Sequence, residues 1–438
     1  MQGWERVCIS GIAAGGAGVA RLADGRAVFV HRTVPGDAAQ VTVVDQRSRW
    51  ARARLLRVLD AGPDRREAPC PLYPRCGGCT LQHIEPHAQR RVKAQLVADA
   101  FARIGHMPLA APPVEATEHE FHYRNRLSFT LLRLHGRVVA GFHEIDRPDR
   151  VLDVDARCLL PEPSLLTAWA QLRACWGPMA NRLPDGGRLR LTVRAVASGE
   201  VSLTIEGGEG GGDAAALLDE APAIVSVWHQ SAGTAAGSSR PRTSGAAQPS
   251  PVLLAGKNAL AETWLGETLN LSGATFLQVN REAARLLERH VLDRAGDVSN
   301  MRIVDAYCGV GTRSRLLVQR GARVTGIELD ALAVSQARSL GGGAQYTEGR
   351  VEDTLAGVLP ADLVLLNPPR TGVDEAVCAA LLASPPDRIL YISCDPATLA
   401  RDVARLAERF ALRDVRCFDL FPQTAHIETV AELACVTS

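Results

Sequence analysis

Ten residues near the end of the chain constrain the fold more than any others: Ile389-Leu390-Tyr391-Ile392-Ser393-Cys394-Asp395-Pro396-Ala397-Thr398. The run begins apolar, with aromatic and β-branched side chains, which reads as a buried strand. It breaks at Asp395-Pro396, a good N-cap followed by the residue best tolerated in a first helical turn. A helix is expected from Ala397 to Phe410, with Leu399, Val403 and Leu406 on one face. Open α/β sheets bind ligands outside the carboxyl ends of their strands. Cys394 falls at such an end, beside helix N–H groups that favour thiolate over thiol. A lone cysteine is ordinarily a core residue, so its meaning depends on the rest of the chain.

At 438 residues the chain is expected to hold two or three domains. The expected fold class is multidomain α/β: a small N-terminal β-barrel over 1–62, a central α+β domain over 63–262, and a Rossmann-like domain over 263–438. No run is apolar and long enough to span a bilayer, and the first thirty residues lack a signal-peptide pattern. A cytoplasmic protein is expected, with no membrane association and no obligate protein partner. In the first segment, short β-branched runs alternate with Gly11, Gly15, Gly16, Gly18 and Asp24-Gly25, the texture of hairpins closing a barrel. Nine arginines stand against five acids between Glu5 and Asp60, and Trp50 lies among Arg47, Arg49, Arg52 and Arg54. Charge with an interleaved aromatic suits RNA.

Eleven cysteines without a secretory pattern point to metal or catalytic use rather than disulfides. Cys70, Cys76 and Cys79 lie within ten residues, with Gly77 and Gly78 allowing a tight backbone path. A closed site needs a fourth ligand, and Cys158 is the best candidate. Four thiolates suit zinc or a 4Fe–4S cluster, and spacing leaves both open. His83 and His87 are read as helix-surface residues. Residues 85–110 read as a helix, and Phe121 to Phe129 as a strand mixing aromatics with arginines. Ser231 to Pro251, rich in Ser, Ala, Gly and Pro, reads as a flexible insertion.

After Leu265 the pattern alternates strands and helices. Val304-Asp305-Ala306-Tyr307-Cys308-Gly309-Val310-Gly311-Thr312 is a strand entering a glycine turn, and Glu328 ends the next strand. Such a turn lets a ligand approach the backbone, and an acid about twenty residues on can bind ribose hydroxyls. A later apolar strand ends in Asn367-Pro368-Pro369-Arg370, similar to S-adenosylmethionine-dependent methyltransferases of nucleic acids. His426 and Glu428 alternate near the C-terminus, where a carboxylate can share a cleft with Cys394.

Together these motifs resemble the RNA 5-methyluridine (uracil-C5) methyltransferase family over nearly the whole chain: a TRAM-like barrel, the cysteine cluster, the glycine turn, Asn-Pro-Pro-Arg, Ser-Cys-Asp-Pro and His-Ile-Glu-Thr-Val. The resemblance implies RNA as partner and S-adenosylmethionine as methyl donor, bound by Gln278, Tyr307, Thr312, Glu328, Asn367 and Asp353. It implies a 4Fe–4S cluster on Cys70, Cys76, Cys79 and Cys158. It also implies Cys394 as nucleophile and Glu428 as general base. Barrel and cluster together look like a 23S rRNA enzyme; Asn367, where many members carry Asp, looks like a relative without the barrel. 23S rRNA is the expected substrate, with tRNA as the alternative. Two further readings are amino-group methylation of adenine or guanine, suggested by Asn-Pro-Pro, and an RNA-binding protein without activity.

Overall fold

The computed structural model describes residues 4–231, 251–272 and 277–436. The expected insertion therefore lies almost wholly outside the described residues. By internal contacts the chain forms two compact units, one of 1–66, 83–118 and 282–438, the other of 67–82 and 119–281.

In the first unit, residues 5–60 form a six-stranded sheet from Glu5–Cys8, Gly11–Ile12, Gly18–Arg21, Ala27–Val30, Ala38–Gln46 and Trp50–Asp60. Alternate residues Val28, Val30, Ala39, Val41, Ala51 and Ala53 fill its core, as period-2 patterning requires. Trp50 packs edge-on against Phe29 at 6.2 Å, and the Arg52 guanidinium lies 5.3 Å from the Trp50 ring centre.

The same unit holds an eight-stranded sheet. Its order is Gln345–Glu348, Arg323–Glu328, Arg302–Ala306, Leu363–Leu366, Arg388–Ser393, Glu428–Cys435, Phe410–Phe418 and Val114–Glu115. The first five strands are parallel, and Glu428–Cys435 runs antiparallel to both neighbours. Strand order reverses direction at Arg302–Ala306, so a crevice opens between its carboxyl end and that of Leu363–Leu366. Leu363–Leu366 is wholly apolar and residues 389–392 of the next strand are buried, as expected of strands covered on both faces. The helix after Cys394 spans Pro396–Leu406. It stops short of the expected Phe410, because Phe410 opens the neighbouring strand and pairs with Cys435. Helix Pro86–Arg103 buries Val97 and Phe101 in the cluster that contains Leu399, Ala400 and Val403. This helix, assigned from sequence to the central segment, therefore packs within the first unit.

The second unit is a seven-stranded sheet: Val151–Asp153, Arg137–His143, Arg126–Leu134, Arg188–Ala195, Val201–Glu206, Ile224–Gln230 and Val252–Gly256. All its pairings are antiparallel except that of Val201–Glu206 with Ile224–Gln230. Leu127, Phe129 and Leu131 pack with Leu189, Leu191 and Val193 and with Trp169 of helix Pro163–Cys175. The aromatic-arginine stretch enters its strand only at Arg126, since His122 has φ +55.

Candidate active site and cysteine cavity

Register sets the first site. Ser393 pairs with Thr429 as the last rung of two antiparallel strands, so Cys394, just past the end of one, and Glu428, the first residue of the other, leave that rung on adjacent stretches of chain. Cys394 is half-buried, whereas Glu428 is 4 % exposed. Burial drives the Glu428 carboxyl up to about 8, although the Arg370 charge acts to lower it. Burial also raises the Cys394 thiol; Glu428 adds to this, and Arg370 opposes it. A thiol, a carboxyl and a guanidinium thus act on one another at the carboxyl edge of the sheet.

Cys394 is nonetheless a raised thiol and not a favoured thiolate: burial and Glu428 outweigh the Arg370 charge and the backbone amide that act to lower it. The Asp395 carboxylate accepts hydrogen bonds from Ala397 N (2.9 Å) and Thr398 N (3.1 Å), so those amides serve the cap and not the sulfur. Arg370 is the cation that favours a thiolate here, and it is exposed. Sequence reasoning assigned Arg370 no part, although its place next to Pro368-Pro369 at a strand end was visible.

Behind Arg370, buried Asp402 accepts hydrogen bonds from Tyr391 Oη (2.8 Å) and Val373 N (3.0 Å). Arg401 donates to the Thr371 carbonyl at 2.9 Å. Gly372, at φ +76, passes so close to Asp402 that a Cβ would collide with it. The loop after Asn367 is thereby fastened to the Pro396–Leu406 helix.

The crevice at the reversal point collects most of the expected donor-binding residues. Ala306 pairs with Leu366, so Tyr307 and Asn367 leave adjacent strand ends side by side. Tyr307 has φ +62, an uncommon conformation for a residue with a side chain. Thr312 opens helix Thr312–Gln319. The Glu328 carboxylate accepts from Gly309 N (3.0 Å), Leu329 N (2.8 Å) and Asp330 N (2.9 Å), tying the second strand end to the glycine turn. Tyr346 closes the turn from behind, where its hydroxyl donates to the Gly311 carbonyl at 3.3 Å. A Cβ on Gly311 would strike that ring. Tyr346 was missed in the sequence because nothing local marks a tyrosine on the third strand as packing under a distant turn. Asp353 is exposed in the first turn of helix Val351–Val358. Gln278 belongs to the other unit, where its carbonyl accepts from Asn125 Nδ2 at 3.0 Å.

In the second unit Cys70, Cys76, Cys79 and Cys158 are all buried, and all four line one small cavity with Tyr73, Phe142 and Leu160. A Cβ on Gly77 would come within 2.7 Å of the His143 carbonyl, which explains the glycine in the cysteine loop. Burial pushes Cys79 and Cys158 up to about 12, so uncomplexed they are neutral thiols. Burial also disfavours the Arg124 charge, but Tyr123, Cys79 and Cys158 together more than offset this. Among the described residues, no group of three or more His, Cys, Asp or Glu is arranged to hold a metal ion. An all-sulfur donor set around an apolar-walled void, with the half-buried Arg124 guanidinium acting on Cys79 and Cys158, fits an anionic iron–sulfur cluster in chemistry. His83 is no helix-surface residue: it is buried in the first unit with Nε2 3.0 Å from the Thr33 carbonyl, and burial lowers it to about 4. No helix among the described residues is long and apolar enough to cross a membrane.

The TRAM domain family matches residues 5–56, and the tRNA (Uracil-5-)-methyltransferase family matches residues 349–434, which include Cys394 and Glu428. An uncharacterised RNA methyltransferase of Halalkalibacterium halodurans is 32% identical, over 98% of this chain and 96% of its own. Another, of Gloeobacter violaceus, is 34% identical over 98% and 95%. The fold is similar to the crystal structure of Pyrococcus abyssi tRNA (uracil-54, C5)-methyltransferase with S-adenosyl-L-homocysteine. That likeness has a TM-score of 0.73 at 23% identity and covers 98% of this chain and 100% of the other. Full-length relatives at this identity, and the two families matched within one chain, lead to one conclusion: the chain belongs to the RNA uracil-5-methyltransferase family.

Proposed function

We propose that the protein methylates carbon 5 of a uridine in 23S rRNA, with S-adenosylmethionine as donor. The observation that carries this reading is the meeting of Cys394, Glu428 and Arg370 at one sheet edge, next to the crevice of Tyr307, Thr312, Glu328 and Asn367. Carbon 5 of uracil is a weak nucleophile. The Cys394 thiolate adds to carbon 6, forming a C–S bond and sending the ring electrons to an enolate oxygen. Carbon 5 then takes the methyl group from the sulfonium, and S-adenosylhomocysteine departs. Glu428 removes the carbon 5 proton, the ring double bond re-forms, and Cys394 leaves as thiolate. The target base must leave its stack to reach this edge, which suits loop or single-stranded RNA.

Three segments divide the work in this reading. The barrel, 1–62, supplies phosphate and stacking contacts, supported by Trp50 and its arginines. The central segment, 63–262, adds RNA contacts and would hold a 4Fe–4S cluster on Cys70, Cys76, Cys79 and Cys158; the chemistry above needs no electron transfer, so a structural or RNA-shaping role is assigned to that cluster. Residues 263–438 bind the donor, with Gln278 and Asp353 completing the set. The joint presence of the barrel and the cysteine cavity supports rRNA. A tRNA uridine is the second reading, favoured by the stated substrate of the Pyrococcus abyssi enzyme. Mapping 5-methyluridine in both RNAs from a strain lacking the gene separates them. Cys394→Ala is expected to lower turnover by about a thousandfold or more while donor binding persists. Methylation at the wild-type rate by that variant would exclude the covalent route and leave amino-group methylation.

A further inference from the structure

The segment that leads into Glu428 is a loop, yet most of it is buried. Asp419 is 4 % exposed, Gln423 1 % and Thr424 5 %. A buried loop must find partners for its polar groups, and here a single helix supplies several of them. Lys93, wholly buried on helix Pro86–Arg103, donates from Nζ to Asp419 Oδ1 at 2.6 Å and to the Phe421 carbonyl at 3.1 Å. One turn earlier, Gln89 makes a reciprocal pair with Gln423. Gln89 Nε2 donates to Gln423 Oε1 at 3.0 Å, and Gln423 N donates to Gln89 Oε1 at 3.0 Å. Gln423 sits at φ +68, a conformation that persists only where surrounding contacts impose it. Lys93 is one of only two lysines among 49 basic residues. A compact ammonium with three donors fits between a carboxylate and a carbonyl where a planar guanidinium fork does not.

Glu428 is the first residue of its strand, and its ladder partner Phe418 is the last of the neighbouring one. Beyond this rung, only the loop determines how the backbone enters Glu428. We propose that Lys93 and Gln89 are positioning residues for Glu428: by fixing the Asp419–Gln423 turn they hold its carboxyl towards Cys394. The inference rests on the reading of Glu428 as the base that releases the covalent RNA adduct.

The test uses the full-length protein and an RNA substrate transcribed without modification. Gln89→Ala is expected to lower kcat about tenfold, as small misplacements of a reacting group do, and to leave the KM for S-adenosylmethionine unchanged. It should also accumulate a slow-migrating protein–RNA adduct on denaturing gels, because the step that suffers follows adduct formation. Lys93→Met strands a buried carboxylate and is expected to unfold the protein in part. The double variant Lys93→Met/Asp419→Asn removes both charges and is expected to behave as Gln89→Ala does. Glu428→Gln is the control. If it traps adduct while Gln89→Ala and the double variant keep wild-type kcat, or lose only thermal stability, the positioning role is overturned. If Glu428→Gln itself traps no adduct, the base assignment is what has failed.

Discussion

Replacing Glu428 by Gln should make the protein more stable, and increasingly so as the pH rises. The carboxyl is 4 % exposed, and burial moves it from an ordinary 4.5 to about 8. Its folded value lies above its unfolded one, so its favourable share of stability is complete below pH 4.5. It is lost as the pH climbs through about 8, because the unfolded chain gives up the proton first. The span, 8 − 4.5 = 3.5 units, corresponds to about 5 kcal/mol at ~1.36 kcal/mol per unit, of which about 3 kcal/mol is already lost at pH 7. Glutamine keeps the shape and cannot ionise. Urea or guanidinium unfolding of both proteins at intervals from pH 5 to pH 9 isolates the effect, since titrating groups that do not interact with Glu428 cancel in the difference, and carrying out the pair of measurements in a Cys394→Ala background removes the one that does. The variant's advantage should grow by roughly 1 kcal/mol per pH unit up to about pH 8 and then level off. A difference independent of pH would refute the buried, neutral acid. The same variant is expected to stall on RNA as a covalent adduct, so stability and turnover move in opposite directions.

The remaining predictions concern charges and sulfurs. Arg370→Gln removes the cation that favours the Cys394 thiolate, so the rising limb of the rate–pH profile should move to higher pH, with activity recovering in alkali; an unchanged limb would remove Arg370 from the site. Cys158→Ala takes away one wall of the sulfur-lined cavity. On the proposed cluster, wild-type protein purified without oxygen is expected to be brown and to contain iron and the variant to lack both, and a colourless wild-type protein rich in zinc would contradict the cluster. Arg194 is 6 % exposed, with an Nη1 that has no hydrogen-bond partner, and burial together with Arg126 lowers it to about 9. Arg194→Met removes a buried charge that burial and Arg126 both disfavour, so it should raise the melting temperature. A lower melting temperature would show that the charge is needed by its surroundings.

Much of the architecture was legible because the relevant signals are local. The break at Asp395-Pro396 fixes the end of a strand and the start of a helix whatever surrounds them. The alternation of small and β-branched residues around glycines marks the barrel in the same way. The three clustered cysteines draw attention to themselves, and Cys158 joins them at one cavity. What sequence did not disclose depends on how distant segments pack. Asp395 uses the helix amides for its own cap, and burial and Glu428 raise the Cys394 thiol despite its place beside a helix N-terminus. Helix Pro86–Arg103 reads as polar and featureless, yet its Val97 and Phe101 belong to the core around the sheet that carries the site. Tyr346 under the glycine turn and Asp402 behind Arg370 are ordinary residues whose roles arise only from contact.

The charge balance at the catalytic edge gives these separate facts a common logic. With Glu428 raised to about 8, only about a tenth of it is ionised at pH 7. A neutral acid does not repel a forming thiolate, and the one nearby cation can then be devoted to the sulfur. That is the state the proposed attack on carbon 6 requires. In the proposed mechanism the charge of the bound sulfur passes to the ring, the cation then favours a carboxylate instead, and Glu428 gives up its own proton to solvent before it takes the one from carbon 5. A base titrating near the working pH is also the one best matched to taking a proton and giving it up again. In the proposed mechanism the carbon 5 proton can leave only after the methyl group has added, so deep burial of Glu428, which by itself only destabilises the fold, keeps its charge away from the thiolate until it is needed. A fully exposed glutamate at that position would be charged from the start, and it would oppose the thiolate on which the reaction depends.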